Sequence, residues 1–167
     1  SGHIFQGTFA TFGRQFNTWI NQCNAWKANY PLNNGIPFEE KAPISHYQLV
    51  DALSDAIPED TLIVTGSSGL AVETFYSTFR CRGGQRVFLT SGLGSMGYGL
   101  AAAIGACLGS GNRRTVAIES DGSLMLNLQE LATLKALQLP LKLIIMDNGG
   151  YASIRNTQRN HFEERYI

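Results

Sequence analysis

"IESDGSLMLNLQELATLKALQLPLKLIIMDNGG", residues 118–150, decides how this chain is read. An apolar run ends in Asp121-Gly122-Ser123, a helix-like stretch follows, and a second apolar run ends in Asp147-Asn148-Gly149-Gly150. Both runs are apolar throughout rather than alternating, as strands buried on both faces are. A strand, a helix and a second strand of this kind make a βαβ unit with parallel strands. A carboxylate and a carboxamide then stand at the tips of two successive strands. They are either turn and capping residues or ligands.

The same pattern extends toward the amino end. "TLIVTG" (61–66) and "RVFLTS" (86–91) join "TVAIES" (115–120) and "LKLIIMD" (141–147) as strands, with helices expected over 70–80, 96–108 and 124–138. The fold class is therefore α/β, a parallel sheet with helices on both faces. Ser45 with Gln48 three residues later is a capping-box pattern for a helix running to about Ile57. Upstream, Phe12, Phe16, Trp19, Ile20, Cys23 and Trp26 repeat at steps of three and four, giving a docking helix over 11–28. Residues 30–44 hold three prolines and Asn33-Asn34-Gly35, and read as a linker. The chain divides in this reading into a helix and linker, 1–44, and a compact domain, 45–167.

Composition narrows the function. Lysine plus arginine and aspartate plus glutamate number 13 each, so no net charge draws the chain to nucleic acid or an anionic membrane. Three cysteines without a CxxC give neither a disulfide framework nor a zinc site. No apolar stretch reaches the roughly 20 residues of a membrane span. The expected setting is reducing and cytoplasmic.

In open parallel sheets, ligands bind beyond the carboxyl ends of the strands. Those ends read Thr65–Gly69, Ser91–Gly97, Ser120–Ser123 and Asp147–Tyr151, all small, polar and glycine-rich. Four such loops on one edge suit a phosphate-bearing ligand that needs close backbone approach. Asp121, the Asn148 side chain and a backbone carbonyl such as that of Gly150 offer oxygen ligands to a hard cation such as Mg²⁺. Gly92-Leu93-Gly94-Ser95-Met96-Gly97 is formally GxGxxG, and Glu119 lies 22 residues beyond Gly97. That is also the pattern of a dinucleotide site, with the acid placed for a ribose hydroxyl. A nicotinamide-dependent oxidoreductase therefore stands as an alternative. There is no GxSxG motif, and the Thr65–Gly69 loop lacks the lysine of a P-loop.

Asp121-Gly122-Ser123 followed by Asp147-Asn148 resembles the motif of thiamine diphosphate enzymes, which begins Gly-Asp-Gly and ends Asn-Asn. "TSGLGSMGYGLAAAIGA" (90–106) and "LQELATLKALQLPLKLIIMDNGGYASIRNTQ" (128–158) are similar to the acetolactate synthase branch of that family. The resemblance covers about residues 45–160. It implies thiamine diphosphate and Mg²⁺ as cofactors, with Asp121, Asn148 and the Gly150 carbonyl on the cation. Gly122, Ser123, Tyr151 and the loop Gly66, Ser67 and Ser68 would touch the diphosphate. Gly94 and Met96 would meet the aminopyrimidine, with the Met96 side chain as the wedge that bends the cofactor.

It further implies a transferase or lyase acting on 2-oxo acids by decarboxylation or carboligation. The activating glutamate would come from a pyrimidine-binding domain of the same or another subunit. No catalytic residue is then expected in this chain, which would be inactive by itself. A homo-oligomer, dimer or tetramer, and a fold that runs on past residue 167 are also implied. Two letters depart from the motif: Ser120 stands for its first glycine and Asp147 for its first asparagine. These departures are the sequence support for a third reading, a non-catalytic assembly module with a decayed site.

Overall fold

The computed structural model describes residues 9–31, 43–66, 69–90 and 92–166. The chain divides into two compact units, Ser1–Ala42 and Pro43–Ile167. In the first, helix α1 spans Phe9–Asn29. Trp19 and Trp26 pack edge to face on it, 5.6 Å between ring centroids. Phe16, Trp19, Ile20 and Trp26 are exposed, so the apolar stripe lies on the surface of its own unit. The Phe12 side chain lies outside the described residues.

The second unit runs α2 (His46–Ala56), β1 (Leu62–Thr65), α3 (Gly69–Thr78), β2 (Arg86–Phe88), α4 (Tyr98–Gly109), β3 (Thr115–Ser120), α5 (Asp121–Leu124), a 3₁₀ turn (Met125–Asn127), α6 (Glu130–Leu137), β4 (Leu141–Met146) and α7 (Ala152–His161). The four strands form one parallel sheet in the order β2-β1-β3-β4. The chain moves outward from β1 to β2, then returns to lay β3 on the other side of β1. The topological switch point, where open parallel sheets bind ligands, thus falls between β1 and β3.

Strand pleating sends alternate side chains to opposite faces. Ile63, Val116 and Ile118 pack with Val50, Ile57 and Phe75 of the α2–α3 side. Val64 and Ala117 pack with Ala103 of α4. Helices therefore cover both faces, as the sequence predicts. Only the central strands β1 and β3 are buried along their whole length; β2 and β4 are partly exposed. An edge strand has a neighbour on one side only, and an apolar sequence does not reveal which strand takes the edge.

The capping box at Ser45 forms in both directions. Ser45 Oγ accepts from Tyr47 N, and Gln48 Oε1 accepts from Ser45 N. One expectation fails: residues 124–138 are not a single helix. The segment opens at Asp121, tightens to 3₁₀ at Met125–Asn127 and restarts at Glu130. No helix among the described residues is long and apolar enough to cross a membrane.

Candidate functional site

The register of β3 with β4 builds the site. Ser120 pairs with Met146, so Asp121 and Asp147 leave adjacent strands at the same level. Beyond them Gly149, Gly150 and Tyr151 have φ of 74°, 80° and 50°. Glycine reaches this left-handed region without steric cost, and the run folds the loop back toward β3. Gly150 N then donates to Asp121 Oδ2 at 2.6 Å, while Gly122 N donates to Oδ1 at 2.8 Å. Asp121 is thus the first residue of α5, not a cap for a helix beginning at Leu124. Burial pushes its pKa up, but the N–H groups of Gly122 and Gly150, the Asp147 side chain and the Asn148 N–H more than reverse this. The carboxyl is held below the usual range and stays charged.

The β4 loop has its own supports. Asp147 Oδ1 accepts from Gly149 N at 2.9 Å, a bond that an asparagine oxygen makes equally well. The off-pattern aspartate therefore keeps the local turn. Asn148 Oδ1 accepts from Ala152 N at 3.3 Å. Arg155, one helical turn into α7, donates to the carbonyls of Asn148 (2.9 Å) and Gly149. The Gly150 carbonyl stays outside this clamp. Gly122 lies beneath Tyr151, where an added Cβ would stand 2.9 Å from the ring.

The 92–97 loop is strapped to the segment after β3. Gly97 N donates to Ser123 Oγ at 2.8 Å, and Asn127 Nδ2 donates to Gly97 O at 2.7 Å. Ser123 and Asn127, four apart, share one side of a helical stretch. Asn127 ends the 3₁₀ turn that interrupts the expected long helix. The Ser123 hydroxyl faces inward, and the residue is buried. Leu93 is 91% exposed, and Met96 is exposed on the same loop as Gly94. Gly66 N is tied to Ile118 O at 2.6 Å. Ser67 and Ser68 lie outside the described residues.

Glu119, the acid of the dinucleotide pattern, is 1% exposed. Its carboxyl is closed in by Gly66 and Gly99, where an added Cβ on either would overlap an oxygen. It cannot reach a ribose hydroxyl, so the spacing match at 92–119 does not produce that contact. The 710 Å³ groove lined by Leu53, Pro58, Arg114, Pro140 and Lys142 is no substitute. It lies toward the amino ends of the strands, away from the loops.

Residues 65–167 match the family described as "Thiamine pyrophosphate enzyme, C-terminal TPP binding domain". The chain belongs to the thiamine pyrophosphate enzyme family. It is 37% identical over 149 residues to the acetolactate synthase large subunit of Parasynechococcus marenigrum (strain WH8102), covering 89% of this chain and 23% of that protein. It is 39% identical over 118 residues to the acetolactate synthase isozyme 2 large subunit of Escherichia coli (strain K12), covering 71% and 21%. For the isozyme 1 large subunit of the same organism the values are 38% over 125 residues, 73% and 22%. The chain spans less than a quarter of the length of each of these relatives. It is a thiamine pyrophosphate-binding C-terminal domain of the acetolactate synthase-like type.

The residues of this family member suit a cation bridging a diphosphate. A charged carboxylate, a side-chain amide oxygen and a backbone carbonyl form an all-oxygen set, the kind Mg²⁺ takes together with substrate phosphates and water. Among the described residues no group of three or more His, Cys, Asp and Glu side chains could hold a metal alone.

Proposed function

We propose that this chain holds thiamine diphosphate through a Mg²⁺ ion bound by Asp121, the Asn148 side chain and the Gly150 carbonyl. It would do so as part of an enzyme acting on 2-oxo acids. The observation that carries the reading is the Gly150–Asp121 hydrogen bond, which joins the two halves of the ligand set in a chain of this family. Asp121 is kept charged, so it offers an anion to a divalent ion at neutral pH. Arg155 orients the loop by taking two carbonyls out of play. Gly122, Ser123 and Tyr151, with Gly66, Ser67 and Ser68, are the contacts proposed for the diphosphate. Gly94 and Met96 receive the aminopyrimidine.

When bound, the cofactor supplies an acidic ring carbon and an electron sink for decarboxylating or joining 2-oxo acids. The chain's own part is to bind, orient and exclude water. The activating glutamate comes from a pyrimidine-binding domain of the same or another subunit, in a homo-oligomer. The exposed Leu93 and Met96 suit a loop covered by cofactor and partner. Residues 1–44 serve as the lead-in to the cofactor domain, 45–167. Calorimetric titration with thiamine diphosphate, with and without Mg²⁺, tests the reading. Saturable Mg²⁺-dependent binding is expected, and heat with NADH but none with thiamine diphosphate would refute it.

A further inference from the structure

Asn127 is half-buried, while Met125, Leu126 and Leu128 beside it are exposed. An amide turned inward costs free energy unless it is bonded, and here both ends of it are. Its Nδ2 donates to Gly97 O at 2.7 Å, and its Oδ1 accepts from Gln129 Nε2 at 3.0 Å. The bond from Gln129 fixes which end of the amide faces Gly97. Gly97 closes the 92–97 loop and is the N-cap of α4, at φ 80°. Its other polar group, the N–H, donates to Ser123 Oγ at 2.8 Å. The fit is close: a Cβ on Gly97 would stand 3.0 Å from Asn127 Nδ2 and 3.0 Å from Leu126 Cβ. Ser123 and Asn127 belong to one continuous run, α5 and the 3₁₀ turn, whose first residue is Asp121.

We propose that Asn127 is a positioning residue for the loop that carries Gly94 and Met96. In the cofactor reading, on which this inference rests, Asn127 is a contact of neither the cation nor the diphosphate. It acts through Gly97. The loop turns at Gly94 and again at Gly97, with φ of 61° and 80°. The Asn127 bond fixes the second of these turns. The run Asp121–Asn127 then carries the carboxylate proposed for the cation at one end and the anchor of the 92–97 loop at the other. The spacing between the diphosphate end and the ring end of the ligand is thereby set before the ligand arrives. A loop ordered beforehand binds more tightly than one that must be ordered on binding. Losing Asn127 should therefore weaken the hold on the rings and spare the hold on the diphosphate.

The test compares two ligands on the 167-residue chain and on Asn127→Leu, which keeps a side chain of similar length without a donor. Calorimetry measures thiamine diphosphate with Mg²⁺ and inorganic pyrophosphate with Mg²⁺, the second having no rings. Affinity for thiamine diphosphate should fall about tenfold, the low end of the loss seen when a supporting partner is removed. Affinity for pyrophosphate should change by less than about twofold, as for independent sites. Equal losses for the two ligands, or no loss for either, would overturn the proposal. In the ligand-free ¹⁵N-labelled chain, the Gly97 amide should exchange with solvent about fivefold faster in the variant, the effect of one ordinary hydrogen bond. The Gly66 amide, bonded to Ile118 O, should keep its rate. Unchanged exchange at Gly97, or equal acceleration at both amides, would also overturn the proposal. If the parent binds neither ligand, the cofactor reading fails, and the exchange comparison still decides whether Asn127 holds the loop. That comparison also decides where pyrophosphate binds too weakly to measure. Asn127→Ala replaces Asn127→Leu if the bulkier variant does not fold.

Discussion

Gly150 N donates to Asp121 Oδ2 at 2.6 Å, joining the ends of two neighbouring strands. The contact follows from the Ser120–Met146 register and from three successive left-handed residues, 149–151. It keeps a charged carboxylate, an amide oxygen and a carbonyl on one short arc of the sheet edge. Most of what is proposed for this chain depends on that arc holding its shape.

Arg155 is the outer support of the arc. Replacing it with methionine keeps much of the side-chain volume but frees the carbonyls of Asn148 and Gly149. The side chain is only half-buried, so the melting temperature should move little. Mg²⁺-dependent cofactor affinity should fall about 10-fold to 100-fold, as for other outer-shell partners. Calorimetry and thermal unfolding of the same preparation separate the two effects.

Ser123 is an inner support. Its hydroxyl satisfies the buried Gly97 N–H. Ser123→Ala leaves that donor without its partner, which costs about 1–3 kcal/mol of stability. Urea unfolding monitored by circular dichroism should show the midpoint drop with little change in slope. An unchanged midpoint would mean that Gly97 finds water instead.

The capping box gives a prediction remote from the site. Ser45→Ala removes the acceptor for Tyr47 N and should lower stability by about 1 kcal/mol. Cofactor affinity should stay within experimental error, because α2 packs on the sheet face and contributes nothing to the loop edge. A large affinity loss would show that the sheet transmits strain to the site.

Much of this design is visible in the residues themselves. Continuous apolar runs separated by helical stretches gave the parallel sheet, and Ser45 with Gln48 marked a helix start that forms as read. The glycine-rich strand ends located the loop edge. Three features were hidden because they depend on contacts that no local pattern encodes. Asn127, in the 3₁₀ turn after β3, bonds to Gly97, thirty residues away. Its only trace is a polar residue interrupting Leu124–Leu128. Arg155 acts seven residues after Asn148, a spacing that matches no general motif. Glu119 has the spacing of a ribose-binding acid, and only its burial between Gly66 and Gly99 rules out that contact.

The central claim is that Asp121 holds the cation that holds the diphosphate. Its most direct test is calorimetric titration of thiamine diphosphate and Mg²⁺ into the parent chain and Asp121→Ala, with folding of each checked by circular dichroism. The account predicts saturable, Mg²⁺-dependent binding to the parent. It predicts a loss of more than about 100-fold in the variant, beyond the usual loss for a residue outside the ligand shell. A folded Asp121→Ala that binds the cofactor as tightly as the parent would contradict it.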